Sequence, residues 1–204
     1  MRATAGPLLQ QRPLTGCTLS GCFTVRHRET GAPEKTKIFE FIMSAAPFHV
    51  VLVEPEIPPN TGNVARLCAA TGARLHLVEP LGFDLDDKTL RRAGMDYWEL
   101  VCWKKWKSLE ELFQTEKPAR FFLCTTKAKA SCFDVQFAYG DFLLFGRETR
   151  GLPESLLARY PDRCMAVPMF NPRARSLNLA TAVAVVLYEA IRQNLQAGLG
   201  SCED

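Results

Sequence analysis

FHVVLVEPEIPPNTGNVARLCAATGARLHLV, residues 48–78, decides the fold class. Phe48–Val53 is an unbroken apolar run ended by a proline-rich loop, as expected of a parallel strand buried on both faces. Asn63–Thr71 reads as a helix closed by Gly72, and Arg74–Val78 as a second strand. The alternation continues downstream. Asp86–Ala93 predicts a short helix, Leu100–Trp103 a short strand, and Ser108–Gln114 a helix that opens on Ser108 and Glu111 as a capping box. Arg120–Thr125 and Phe142–Phe145 are further strands. Pro153–Tyr160 is a helix with proline in its first turn, and Met165–Pro168 a last strand. Leu177–Gln196 is the longest helix, with Ala180, Val183, Ala184, Leu187, Ile191 and Leu195 recurring at three and four. Strands alternating with helices predict an α/β fold with a mostly parallel sheet between helices.

The composition agrees with one ordinary domain. Of 204 residues, 47% are apolar and 23% charged, which excludes collagen-like and wholly disordered chains. No apolar run approaches the roughly 20 residues of a membrane span, so no membrane association is expected. Residues 1–46 carry six basic and three acidic side chains, and the remaining 19 basic residues are balanced by 19 acidic ones. A basic field able to hold nucleic acid by itself is therefore missing, and RNA binding would need local clustering or a second subunit. Residues 1–46 show no sustained periodicity and are expected to lie outside the fold as an N-terminal extension. Residues 47–197 form the domain and 198–204 a flexible tail. Cys68, Cys102, Cys124 and Cys164 sit in apolar stretches, no CxxC pair exists, and His27, His49 and His76 make no ligand-spaced set. Free thiols in a cytoplasmic protein, with no metal, are the expectation.

Three loops at predicted strand ends could carry chemistry. In Pro58-Pro59-Asn60-Thr61-Gly62-Asn63 the prolines stiffen the chain and two amides stand beside a helix N-terminus, with Arg66 in the expected first turn. On these residues alone, helix capping and a surface arginine are the favoured account. Gly146-Arg147-Glu148-Thr149-Arg150-Gly151 brackets opposed charges between glycines, and Gly146 could let a flat ring or sugar lie on the backbone. It is neither GxGxxG nor a P-loop. Phe170-Asn171-Pro172-Arg173-Ala174-Arg175-Ser176 offers two phosphate-binding arginines and Ser176 as N-cap of the long helix, with Asn178 in its first turn.

Together, EPEIPPNTGNVARLCAATGARLHLVEPLGF, DDKTLRRAGMDYWE, LFGRETRGLP and SLNLATAVAVVLYEA resemble the SPOUT class of RNA methyltransferases. The resemblance is to the bacterial family that methylates the ribose 2′-hydroxyl of the tRNA wobble nucleotide, cytidine or uridine 34. It runs over residues 48–196. The sequence departs from the family at Arg147, often proline there, and at NPRARS, one residue longer than the usual connection.

The resemblance implies a C-terminal trefoil knot, a homodimer, and S-adenosyl-L-methionine held on the knot. Carried over residue by residue, its contacts fall at Cys124, Gly146, Val167, Ser176 and Leu177, chiefly through the backbone. A ribose hydroxyl is a poor nucleophile until its proton is removed or its charge stabilised. Arg66 is the implied activator, Asn60 positions the ribose or phosphate, Glu148 orients Arg66 or a neighbouring donor, and Ser176 and Asn178 complete the cradle. Arg91, Arg92, Arg150, Arg173 and Arg175 are the expected contacts to a tRNA anticodon stem-loop. The competing readings are a non-catalytic RNA-binding α/β protein, a SPOUT enzyme acting on another RNA, and a Rossmann-type small-molecule methyltransferase. The single glycine of EPEIPPNTG argues against the last of these.

Overall fold

A computed structural model describes residues 48–84 and 98–199. The elements are β1 (His49–Val53), α1 (Pro58–Thr71), β2 (Arg74–Val78), a 3-10 turn (Trp98–Leu100), β3 (Trp103–Trp106), α2 (Leu109–Glu116), β4 (Phe121–Cys124), β5 (Phe142–Phe145), α3 (Glu154–Arg159), a second 3-10 turn (Pro161–Arg163), β6 (Cys164–Met165) and α4 (Leu179–Leu199). The helix expected at Asp86–Ala93 lies outside the described residues. Six strands form one sheet in the order β3-β2-β1-β5-β4-β6, and every pairing is parallel. β1 is central, with Val51 opposite His76 on one side and Leu144 on the other.

Alternating side chains serve two apolar layers. Val50, Leu52, Leu75, Leu77, Leu143 and Phe145 face α1 and α4, where they meet Val64, Ala65, Cys68, Val183, Val186, Leu187 and Ala190. Val51, Val53, Val78, Leu123, Phe142 and Leu144 face the opposite way, against Leu112 of α2 and the half-buried Leu156 and Leu157 of α3. A strand interior covered on both faces needs continuous apolar sequence, which is what makes β1 and β5 legible.

Element boundaries depart from the sequence reading most clearly at α1, β3, β6 and α4. α1 starts five residues earlier, because Pro58 and Pro59 occupy its first positions, where the missing amide is not needed. Arg66 therefore belongs to the third turn. β3 is Trp103–Trp106 and not Leu100–Trp103. Its exposed Lys104 and Lys105 mark an edge strand, and charge at an edge discourages further pairing but hides the strand from an apolar search. β6 is only Cys164–Met165, because Ala166 leaves β4 and makes an isolated parallel bridge with Ser131. α4 begins at Leu179 with Asn178 as its cap: the Asn178 Oδ1 accepts from the amides of Ala180 (2.9 Å) and Thr181 (3.4 Å), so Ser176 is not the cap. The apolar stretches around Cys68, Cys102, Cys124 and Cys164 suggest buried thiols; Cys68 is buried, and Cys124 and Cys164 are half-buried. Cys102 is exposed, because it leads into the solvent-facing edge strand.

Two histidines are buried beneath α2. Trp106 Nε1, which can only donate, reaches His76 Nδ1 at 3.0 Å. His76 must then carry its proton on Nε2 and donate it to His49 Nδ1 at 2.9 Å. His49 in turn stacks on Phe142 with ring centroids 3.9 Å apart. Burial, reinforced by Arg74, pushes His49 down to about 4. Burial, with His49, Arg74 and Lys104 adding to it, pushes His76 down to about 3. Both rings stay neutral in the fold while the unfolded chain takes up protons near pH 6.5. Their contribution to stability is therefore present above about pH 6.5 and is lost as the pH falls toward 4 and 3. Urea unfolding should show a midpoint that is flat above neutrality and drops between about pH 6.5 and 4. His49→Asn, which keeps an acceptor for His76, should reduce that slope. Equal slopes in the two proteins would mean that His49 is not held neutral.

Candidate active site

The carboxyl ends of β1 and β5 meet where the sheet order reverses: β2 and β3 continue on one side of that boundary, β4 and β6 on the other. Such a switch point leaves a crevice, because successive loops diverge there. A cavity of about 600 Å3 occupies it, lined by Ile57 and Asn60 after β1, Cys124–Lys127 after β4, Phe145–Leu152 after β5, and Val167, Met169 and Arg175–Leu179 around the approach to α4. That volume suits a nucleoside-sized ligand. Leu152, Leu157, Val167 and Leu177 supply apolar wall beside the main chain of the β4 and β5 loops.

One carboxylate ties the loops together. Glu148 Oε2 accepts the Glu56 amide at 2.8 Å, and its Oε1 accepts the Ile57 amide at 3.2 Å and Asn60 Nδ2 at 2.9 Å. Because a carboxylate only accepts, Asn60 must turn its NH2 toward Glu148 and its oxygen the other way. That oxygen receives Asn178 Nδ2 at 2.9 Å. Asn178 can donate there only because its own oxygen is engaged in capping α4. The polarity is consistent along the chain Asn178 to Asn60 to Glu148. A reciprocal contact closes the other side: Glu56 Oε2 accepts the Thr149 amide at 3.1 Å and its hydroxyl at 2.7 Å. Arg147 also pairs with Glu54, which adds an ion pair between the same two loops.

The glycines of the β5 loop have intramolecular reasons. The Arg147 and Gly151 main chains exchange hydrogen bonds at 3.2 and 2.8 Å, which folds the loop back on itself. A Cβ on Gly146 would lie 2.0 Å from the Gly151 carbonyl carbon and 2.1 Å from the Leu152 nitrogen. The loop's own crossing thus demands glycine, before any ligand is considered. Gly151 takes the left-handed conformation, with φ 71°. A Cβ on Gly82 would come 2.7 Å from the Glu56 Cα, so the β1 loop is seated against the β2 loop as well.

All five residues expected against the cofactor, Cys124, Gly146, Val167, Ser176 and Leu177, line the cavity, as do Asn60, Glu148, Arg150, Arg175 and Asn178. Asn60 is only 6% exposed and serves as the central link of the polar chain. Arg173 stands exposed beside these residues. Arg66 does not line the cavity and lies on the exposed side of α1. Arg91 and Arg92 lie outside the described residues. Glu148 engages Asn60 and the start of α1, a neighbouring donor in the sense expected of it. Burial, with Cys132 nearby, pushes the Cys124 thiol up to about 12, so it stays protonated and inert near neutral pH. Sequence reasoning missed Thr125, Thr126 and Lys127. A polar run directly after a predicted strand was the available signal. It also missed Glu56 and Thr149, whose pairing no local pattern announces.

Comparison with known proteins agrees with this geometry. The SpoU rRNA Methylase family matches residues 47–188. A tRNA (cytidine(34)-2′-O)-methyltransferase of Aeromonas hydrophila is 53% identical over 150 residues, 73% of this chain and 96% of the relative. The chain superposes with a TM-score of 0.69 and 47% identity on a solved structure from work on the 2-OH methylation of C/U34 on tRNA, covering 74% of this chain and 98% of that one. An AdoMet-bound rRNA methyltransferase from Sinorhizobium meliloti is 26% identical, with a TM-score of 0.64 over 73% of this chain and 57% of its own. A crevice at the β1/β5 switch point, three loops joined through Glu148, and a family match over most of the chain lead to one conclusion: the chain belongs to the SpoU methylase family.

Proposed function

We propose that the protein is an S-adenosylmethionine-dependent methyltransferase that modifies the ribose 2′-hydroxyl of nucleotide 34, a cytidine or uridine derivative, in tRNA. The observation that carries this reading is the convergence of all three loops on one cavity, in a chain half identical to relatives named for that activity along nearly their full length. The cavity fits the cofactor in size and in its mixture of apolar wall and main-chain groups. Cys124, Gly146, Val167, Ser176 and Leu177 would hold it, and when bound it supplies an electrophilic methyl group. No metal is needed for that chemistry.

The chain's own residues then have distinct tasks. Asn60 and Asn178 are locked by Glu148 and present a preorganised polar wall without a cost of reorientation. Glu148 spends both oxygens on main-chain and amide donors, so it is a positioning residue and not the base that takes the ribose proton. Stabilisation of the developing alkoxide falls to a cation, and Arg66 is our candidate. Arg66 lies outside its own subunit's cavity, so this role requires a homodimer in which α1 and α4, which lie side by side, meet the partner and carry Arg66 to the partner's crevice. Tyr188 on α4 is 54% exposed and would be covered there. Arg150, Arg173 and Arg175 would grip the anticodon stem-loop. We read the C-terminal segment as the family's trefoil knot, the domain as residues 47–197, and the compartment as cytoplasm.

Purified protein with labelled S-adenosylmethionine and tRNA should place one ribose methyl on nucleotide 34, located by mass mapping. A methyl at any other position would overturn the assignment. Arg66→Ala should lower single-turnover methylation roughly a hundredfold or more while leaving cofactor affinity nearly intact. Arg66→Lys should recover little of this, because lysine keeps the charge but loses the planar donors. Normal turnover by Arg66→Ala would move the activating role elsewhere. Glu148→Gln turns an NH2 toward donors that need an acceptor, so both thermal stability and methylation should fall. Unchanged melting and turnover in Glu148→Gln would show that the carboxylate is dispensable.

A further inference from the structure

We infer that Phe170 is a stacking platform for an unpaired base of the RNA substrate, next to the nucleotide whose ribose enters the cavity. This role rests on the proposed RNA methylation and adds to it a contact with the substrate outside the cavity. Phe170 is 97% exposed, the most exposed of the large apolar side chains described. Folding therefore gains nothing from its ring, although burying a phenylalanine is ordinarily one of the larger favourable terms available to a chain.

Its position is defined on both sides. Met169, directly before it, lines the cavity, and so do Arg175, Ser176 and Leu177 after it, so the ring stands on the rim. The turn that follows is already formed: Asn171 Oδ1 accepts the Arg173 amide at 3.0 Å, its carbonyl accepts the Ala174 amide at 3.0 Å, and Pro172 fixes the torsion between them. Little ordering remains when a ligand arrives. The charge points the same way. No Asp or Glu occurs between Ala166 and Asn178, whereas Arg173 and Arg175 are both exposed there. An exposed ring between the open crevice and two exposed cationic side chains matches single-stranded RNA, whose bases stack on aromatics while phosphates meet arginines. A ribose hydroxyl can reach the crevice only if its nucleotide leaves the loop's own stack, and Phe170 would replace the stacking lost by its neighbour.

The test uses the full chain and an anticodon stem-loop RNA carrying 2-aminopurine beside nucleotide 34. Phe170→Ala and Phe170→Leu should weaken RNA binding by roughly five- to a hundredfold. Leucine keeps apolar area but has no π face. Phe170→Trp should bind within about threefold of the parent, and its added emission should be quenched by the RNA. Affinity for S-adenosylmethionine and subunit association by sedimentation should not change. The slope of affinity against salt should also hold in Phe170→Ala, whereas Arg173→Ala should lower it by about one. Equal RNA affinity in parent and Phe170→Ala overturns the inference and leaves methylation standing. A shift in subunit association by Phe170→Ala overturns it too, since the ring would then be packing on a second copy. Phe170-dependent binding without methylation would overturn the proposed reaction and leave the platform. A parent chain that binds no stem-loop overturns both.

Discussion

The Glu148 carboxylate is the constraint on which the site depends. α1 has no side-chain cap of its own: its N-cap is Ile57, and the helix begins on two prolines. Main-chain amides at a helix start need acceptors, and the positive end of the helix favours an anion. Glu148 meets both needs from 92 residues away in the chain, by accepting the amides of Glu56 and Ile57. The same group orients Asn60, and Asn60 orients the Asn178 that caps α4. The starts of two helices on one face of the sheet, and the loop after β5, are thereby held in a single register.

This arrangement separates positioning from activation. A carboxylate with three donors is committed to architecture, and the thiol of Cys124 is held protonated by burial. Neither is suited to act as base for a ribose hydroxyl. The crevice offers fixed dipoles, which suit reactions in which geometry and electrostatics do most of the work. The second clamp, from Glu56 to Thr149 with Arg147 on Glu54, rigidifies the β5 loop from the opposite side. A proline would stiffen that loop through its own torsion; here an ion pair does so through a neighbour, and the antiparallel bridge from Arg147 to Gly151 remains intact.

The sheet supplies the rest of the rigidity. Its central strands are covered on both faces, while its edges are guarded in different ways. β3 carries exposed lysines, and β6 is only two residues long. The cavity lies at the carboxyl ends of β1, β5 and β4, where paired neighbouring strands fix the backbone from which the loops depart.

Much of the fold and part of the site were legible in the linear chain. The apolar runs at Phe48–Val53 and Phe142–Phe145, and the three- and four-residue period of α4, follow from local burial and are visible locally. The motif resemblance placed all five cofactor-contact candidates, and each lines the cavity. What local pattern could not contain was anything set by partners distant in sequence. Ser108 caps α2 from three residues away and is readable; Glu148 steadies α1 from the far half of the chain and is not readable in that role. Gly146 invites a ligand-based explanation until the crossing of its own loop supplies a steric one. Arg66 reads as a crevice residue only if its helix starts at Asn63. Two prolines move that start back by five residues, which puts the arginine in the third turn, away from the helix N-terminus. Residue types and their periods determined which elements form; only the tertiary structure decided which polar groups meet, because hydrogen bonds and steric contacts depend on distance in space and not on separation along the chain.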